Sequence, residues 1–404
     1  MARTSNTNPP CAEKQLLVCC ARTKMPAAVA ERLREITAQR LDWDYVLDEA
    51  AAHSLGPLLD RHLRAMASSD GSNSIPSSTL ERLKVTSRAN TVRCLFLTAE
   101  LHKILDVFRS DGLVTIPYKG PVLAEQAYGE LTLRDFDDLD IILRQRDLAK
   151  ANEVIQGLGY KARFPWIVSS GAPPSLAPGE YNYRNDERRA MVELHTELTL
   201  RHFPVVPNLD ELAKHLAAVT VGGREVRTFA PEDLLPALCI HGSKDLWARL
   251  SWIADISELV QRYPAFDWDR ALRTTEIFRA GRMLHLGLAL ASNMLGAPLP
   301  EEIRKRVLGD VEATSLAQDI EEHLLSRDEN EYSAGQRFQF RRRMVRGWMA
   351  GWRYSVRLAV MPVEEDWETV RLPAWLAPLY IALRPLRLLS KYRSRRQDHS
   401  EEAS

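Results

Sequence analysis

The chain has 404 residues, 27% charged and 45% hydrophobic, enough for one large or two ordinary domains with a buried core. Lys plus Arg balances Asp plus Glu at 54 each, so no global field draws the protein to nucleic acid or an acidic membrane. Apolar runs fall short of a transmembrane helix, and the N-terminus lacks a signal-peptide core. Five cysteines (Cys11, Cys19, Cys20, Cys94, Cys239) show no zinc-like spacing, and a cytoplasmic, reducing setting is expected.

Residues 1–24 read as a mobile tail that turns apolar from Leu16 to Cys20. Apolar positions recur at helical spacing from Ala27 to Met66, with Trp43 between Asp42 and Asp44 at the cap of a second helix. A loop by composition at 68–78 precedes a long helix from Thr79 to Arg109, closed by Asp111-Gly112. The period then changes. A strand is predicted over Leu113 to Pro117, a helix over Gly120 to Tyr128 and a strand over Leu139 to Leu143. A helix over Leu148 to Leu158, closed by Gly159, leads to a strand around Tyr160 to Phe164 and a Pro/Gly-rich loop through Pro178.

Two further strands follow, Glu180 to Asn185 and Met191 to Leu200. In the second, Glu193, His195, Glu197 and Thr199 alternate with Val192, Leu194, Leu198 and Leu200, the pattern of a half-buried strand with a polar face. After Pro231 the chain becomes helical over Glu232 to Gly242, Trp247 to Tyr263, Asp267 to Asn293 and Pro300 to Leu308, with a basic stretch from Arg337. Trp375, Tyr380, Arg384, Arg387, Lys391 and Tyr392 suggest a membrane-surface helix, but Pro378 and Pro385 break the face. Docking on the helical body is expected there, without peripheral membrane contact. The implied organisation is a helical region (25–110), an α/β core (111–230), a helical region closing a cleft (231–310), a helical extension (311–390) and a disordered tail (391–404).

The chemistry concentrates in Asp138-Leu139-Asp140-Ile141-Ile142-Leu143. Residues two apart on a strand share a face, about 7 Å apart along the backbone, so both carboxylates can approach one hard cation such as Mg²⁺. Lys119-Gly120, after the first strand, offers a cation and a permissive backbone to a phosphate. The competing reading of Asp135, Asp137, Asp138 and Asp140 is a solvated acidic turn.

The ordered pieces resemble the DNA polymerase β-type nucleotidyltransferase superfamily: strand, Gly loop, helix, acidic pair, and a third acid from a later strand. They are more narrowly similar to an uncharacterised bacterial nucleotidyltransferase family in which Lys-Gly replaces Gly-Ser. The matching pieces are Tyr118-Lys119-Gly120, Arg134 through Asp140, Gly157-Leu-Gly-Tyr160, Val192 through His195, and His241 through Asp255. The loop serine of the superfamily is absent, and Lys119 stands before the glycine.

The resemblance implies an α+β fold, a small mixed sheet with flanking helices between N-terminal and C-terminal helical regions. It implies two Mg²⁺ ions, with Mn²⁺ as substitute, held by Asp138, Asp140 and Glu193. Lys119 and the Gly120 amide would face the β/γ-phosphates of a nucleoside triphosphate, and Arg134 would grip phosphate or pair with Asp135 or Asp137. His195 would orient an acceptor, act as a base or bond within the sheet. His241 would reach across the cleft or pack, and Arg249 would face the site, while Lys244, Asp245 and Asp255 read as ion pairs and Trp247 and Trp252 as core. The implied reaction moves a nucleoside monophosphate to an acceptor hydroxyl on a small molecule, sugar or protein, without a nucleic-acid template. The alternative is a catalytically silent binding module, which the convergence or divergence of Glu193 would separate from the enzyme.

Overall fold

The computed structural model describes residues 11–70, 74–165, 179–198, 212–327, 332–345, 347–370, 372, 376, 378–385, 387 and 388. The expectations for residues 1–10, for the loop up to Pro178, for Thr199 and Leu200, and for the tail 391–404 lie outside these residues, as do Trp375, Lys391 and Tyr392.

The fold is α+β. Four helices come first, α1 (Ala12–Cys20), α2 (Ala27–Thr37), α3 (Trp43–Ala52) and α4 (Gly56–Asp70), followed by the long α5 (Ser77–Ser110). Strand β1 (Thr115–Pro117) leads into the short α6 (Gly120–Leu123), which continues as one π-helical turn, Ala124–Tyr128. Next come β2 (Asp138–Leu143), α7 (Leu148–Gly157), β3 (Lys161–Ala162), β4 (Glu180–Asn185) and β5 (Ala190–His195). The five strands order as β1-β2-β5-β4-β3, so β2 and β5 are neighbours although 46 residues separate the end of one from the start of the other. A separate hairpin, β6 (Ala217–Val221) with β7 (Arg224–Thr228), turns through Gly222 and Gly223, both with positive φ. That pair of left-handed residues is the two-residue hairpin turn whose twist matches the strands.

The remaining helices are α8 (Pro231–Lys244), α9 (Leu250–Arg262), α10 (Trp268–Phe278), α11 (Gly281–Leu295), α12 (Glu301–Gly309), α13 (Val311–Leu325), α14 (Ala334–Met344), α15 (Trp348–Val360) and α16 (Glu364–Thr369). The single helix expected over Asp267 to Asn293 is two, because Arg279 adopts a left-handed backbone at the C-terminus of α10. Among the described residues no helix is long and apolar enough to cross a membrane, and none of the five cysteines forms a disulfide.

The chain divides into two compact units: one takes Met1–Lys103, Ile116–Leu139 and Asn208–Met344, the other Ile104–Thr115, Asp140–Pro207 and Val345–Ser404. The core of the first is aliphatic and aromatic, with Leu59, Leu97, Phe229, Leu235, Trp247 and Leu288 fully or almost fully buried. In the second, Ile141, Ile155, Val192, Leu194 and Tyr183 are buried, and the Tyr183 hydroxyl donates to Asn152 at 3.0 Å.

The tail expected up to residue 24 is corrected in its second half. Ala12–Cys20 is a helix with Leu16, Leu17, Cys19 and Cys20 buried, because its apolar run has α2, α3 and α4 to pack against. Lys14 is buried with it and meets buried Glu49 of α3 at 3.1 Å, with His53 at 3.4 Å from the same carboxylate oxygen. The His53 hydrogen bond, with Lys14 adding to it against the cost of burial, holds the Glu49 carboxyl down at about 2. A depressed carboxyl stabilises the fold above its ordinary value of 4.5, and that stability is lost as pH falls towards 2. Glu49→Gln leaves Lys14 buried without its counter-charge and is expected to cost about 3–5 kcal/mol at pH 7. In urea unfolding the gap between variant and wild type should narrow as the pH is lowered below about 4; a gap independent of pH would refute the ion-pair account.

Candidate functional site

Strand alternation builds the first part of the site, within the second unit. Asp140 lies on β2 and is 2% exposed. On β5, Val192 and Leu194 face the core while Glu193 and His195 share the other face, paired across the β4 register with Asn182 and Glu180. His195 Nε2 lies 3.1 Å from Asp140 Oδ1 and 3.4 Å from Glu193 Oε2. One ligand atom from each of the three side chains lies within 4.8 Å of the others.

Burial works against a charge on His195, but hydrogen bonds to Asp140 and Glu193, helped by the charges of Glu180 and Asp140, outweigh it and raise the imidazole to about 9. The two carboxylates thus favour the charged form of the imidazole that lies between them. The donor set, two carboxylate oxygens and an imidazole nitrogen, suits a divalent metal ion that takes the place of the imidazole proton. This group could hold a metal ion.

Two members of the expected carboxylate set, Asp140 and Glu193, come together with His195 as the third of the group. Asp138 is not in the group that converges; His195 is. Asp138 stands one two-residue step back along β2, on the same strand face as Asp140. It is half-buried at the start of the strand.

The other expected residues lie in the first unit. Gly120 has φ +53, and a Cβ there would stand 3.0 Å from the Asp138 carbonyl oxygen. The glycine is thus required both for its left-handed backbone and for the close approach of the loop to the start of β2. Lys119 precedes α6 and is 8% exposed, with Nζ 5.3 Å from the centre of the Tyr118 ring.

Arg134 donates to a third acid. Its Nε and Nη2 donate to Asp255 Oδ1 and Oδ2 at 2.9 and 3.0 Å, and the buried Tyr128 hydroxyl donates to the same Oδ1 at 2.8 Å. Burial disfavours the guanidinium charge, but Asp255 outweighs it and raises the group above its ordinary value. Burial first, then the Asp255 charge, pushes the Tyr128 phenol well up, so it stays a donor. The bidentate geometry expected for a phosphate is spent on a carboxylate 121 residues away. Of the acidic turn, Asp137 is exposed and pairs with Arg93 at 2.6 Å.

His241 and Arg249 both meet Trp252: the imidazole edge-on at 4.9 Å between centroids, the guanidinium 5.9 Å from the ring centre. Arg249 is exposed. The residues missed as members of a site are Asp255 and Tyr128, which partner Arg134, and Glu180, which lies opposite His195. Asp255 ends one of the matching pieces and Tyr128 ends a predicted helix, and nothing in their spacing joins them to Arg134.

The chain belongs to the uncharacterised nucleotidyltransferase family, whose model matches residues 39–296, more than half its length. That range contains every candidate residue above, and it makes the protein a nucleotidyltransferase by class. Comparison with curated proteins finds no match. A solved structure with some similarity is the antibiotic-resistance factor ANT(2'')-Ia, in solution. It shares 12% identity over 45% of this chain and 91% of that one, at a TM-score of 0.30, a likeness too loose to carry an argument.

Asp255→Asn leaves Arg134 buried beside a neutral partner and is expected to destabilise the protein by about 3–5 kcal/mol. Arg134→Lys, which cannot reproduce the fork, should also lower the unfolding midpoint. Unchanged denaturation midpoints in both would return Arg134 to the ligand-binding residues.

Proposed function

We propose that the protein transfers a nucleoside monophosphate from a nucleoside triphosphate to an acceptor hydroxyl, with a divalent metal ion, Mg²⁺ or in its place Mn²⁺. The observation that carries this reading is the convergence of Asp140 and Glu193 from adjacent strands around His195. Family membership supports nucleotidyl transfer; the clustered acidic pair supports the metal.

When bound, the metal would polarise the reacting phosphate and neutralise charge as pyrophosphate leaves. Asp140 and Glu193 would hold it, with Asp138 as the carboxylate available to a second ion. His195 Nε2 holds both carboxylates together in the absence of the ion and would be the third donor to it when bound. Lys119 and the Gly120 amide are the groups assigned to the β/γ-phosphates, since Gly120 lets backbone approach closely. The acceptor is a small molecule, a sugar or a protein side chain, and no nucleic-acid template is required.

The test is thermal shift with each nucleoside triphosphate plus Mg²⁺ or Mn²⁺, followed by pyrophosphate release. A nucleotide at about 100 times its Kd should stabilise the wild type by about 2.7 kcal/mol. Asp140→Asn and Glu193→Gln should abolish the metal-dependent part of that shift and lower turnover at least about 100-fold, since even indirect supports of a metal are worth 10–100-fold. An equal shift and equal turnover in wild type and both variants would sink the metal assignment. Binding that survives in the wild type without pyrophosphate release would favour a silent binding module.

A further inference from the structure

Helix α15 turns its apolar side outward. Trp348, Met349, Trp352 and Val356 are 77%, 60%, 65% and 39% exposed, while Tyr354 is fully buried on the other side. At helical spacing these four side chains occupy one arc, with Arg353 and Arg357, both exposed, along its edge. Residues 345–363, the part of this unit that holds α15, carry three arginines and no aspartate, glutamate or lysine, in a chain whose net charge is zero. A row of this composition left in water is the mark of an interaction surface.

Its occupant follows from the chemistry. A second copy of the helix packed on the row would bring Arg353 and Arg357 against their own kind. A nucleic acid would satisfy the arginines but leave Met349 and Val356 wet. An anionic bilayer takes all of them: tryptophan rings at the headgroup level, aliphatic side chains below, guanidinium groups on lipid phosphates. With 13 residues the helix is too short to span a bilayer and would lie along it.

We propose that α15 is a membrane-docking helix that lays Trp348, Met349, Trp352 and Val356 into the surface of an anionic bilayer, with Arg353 and Arg357 against the headgroups. The helix lies before the prolines that break the face expected at the C-terminus. Arg384 and Arg387, assigned to that later face, are committed instead to Asp366, at 2.7 and 2.6 Å. Arg384 Nε also donates to the Leu358 carbonyl at 2.8 Å, which ties residues 378–385 to the end of α15. In that segment Leu379, Ile381 and Leu383 are 47%, 41% and 37% exposed, and they add apolar surface to the same unit.

The full chain should float with vesicles of phosphatidylcholine containing roughly a third phosphatidylglycerol, at least about tenfold more tightly than with phosphatidylcholine alone, and less at high salt. Tryptophan emission should shift to the blue on binding. The double changes Trp348→Ser/Trp352→Ser and Arg353→Glu/Arg357→Glu should each weaken flotation by about tenfold or more with the thermal midpoint unchanged, since all four side chains are exposed. The proposal is overturned by no flotation with anionic vesicles, by equal flotation of wild type and both variants, or by a wild-type dimer in size-exclusion that the tryptophan changes split. Loss of vesicle binding to equimolar single-stranded nucleic acid would overturn it in favour of a nucleic-acid surface.

Discussion

Two charged carboxylates in one corner of a sheet repel unless a proton or a positive charge lies between them, and this constraint governs the sheet. Asp140 is 2% exposed, and its ligand oxygen lies within 4.8 Å of that of Glu193. At such separations like charges repel by about 4 kcal/mol even with an effective dielectric near 20. His195 supplies the balancing charge from the same strand as Glu193, two residues on, so one face of β5 delivers both the acid and its counter-ion. The arrangement depends on register. A one-residue slip of β5 would carry Glu193 and His195 into the core and expose Val192 and Leu194. The apolar alternation that fixes the register and the polar face that builds the cluster are therefore one pattern, and Glu180, opposite His195, adds its charge through the same pairing.

A second buried charge set acts on the chain just before β2. Arg134, Asp255 and Tyr128 form a triad in which one carboxylate receives two guanidinium bonds and a phenol. It joins the end of the π-helical turn, the approach to β2 and helix α9. Gly129, at φ +70, makes room beside it, since a Cβ there would stand 2.9 Å from the Arg262 guanidinium carbon. With Gly120 against the Asp138 carbonyl, the segment from Lys119 to Asp138 is held at both ends. Breaking the triad therefore loosens the loop that leads to the acidic strand, so a buried ion pair stands among the site's own motifs.

What was legible in the sequence followed from local periodicity. Alternation over Val192 to His195 and over Asp138 to Leu143 marked strands, and the shared face of Glu193 and His195 could be read from it. The long helix from Thr79 to Arg109 was equally plain, and α5 exceeds it by only two residues at its start and one at its end. Long-range pairing was not legible. Arg134 was assigned to phosphate or to its acidic neighbours because no periodicity points to Asp255. The burial of α1 was hidden for a related reason: nine residues show too little amphipathic pattern, and only Glu49, in another helix, explains Lys14. The ligand role of His195 was open for want of one fact, the adjacency of β2 and β5.

The His241 to Trp252 motif is distinctive for its backbone and its packing. Leu246 and Trp247 both have left-handed backbones, φ +56 and +53, a conformation that costs about 1–3 kcal/mol per non-glycine residue. The offset is the complete burial of the Trp247 indole. Two glycines make that possible: a Cβ at Gly242 would lie 2.6 Å from the ring, and one at Gly287 would lie 3.0 Å from its far edge. Burying an aromatic ring of this size stabilises by several kcal/mol, enough to hold the turn in its strained form. Trp252, five residues on, instead packs against His241 and the exposed Arg249. The motif is thus a turn that fixes one tryptophan inside and another near the surface, and its length reflects the packing of α8, α9 and α11 around Trp247. The metal-capable group needs only Asp140, Glu193 and His195, because the sheet that carries them does the positioning.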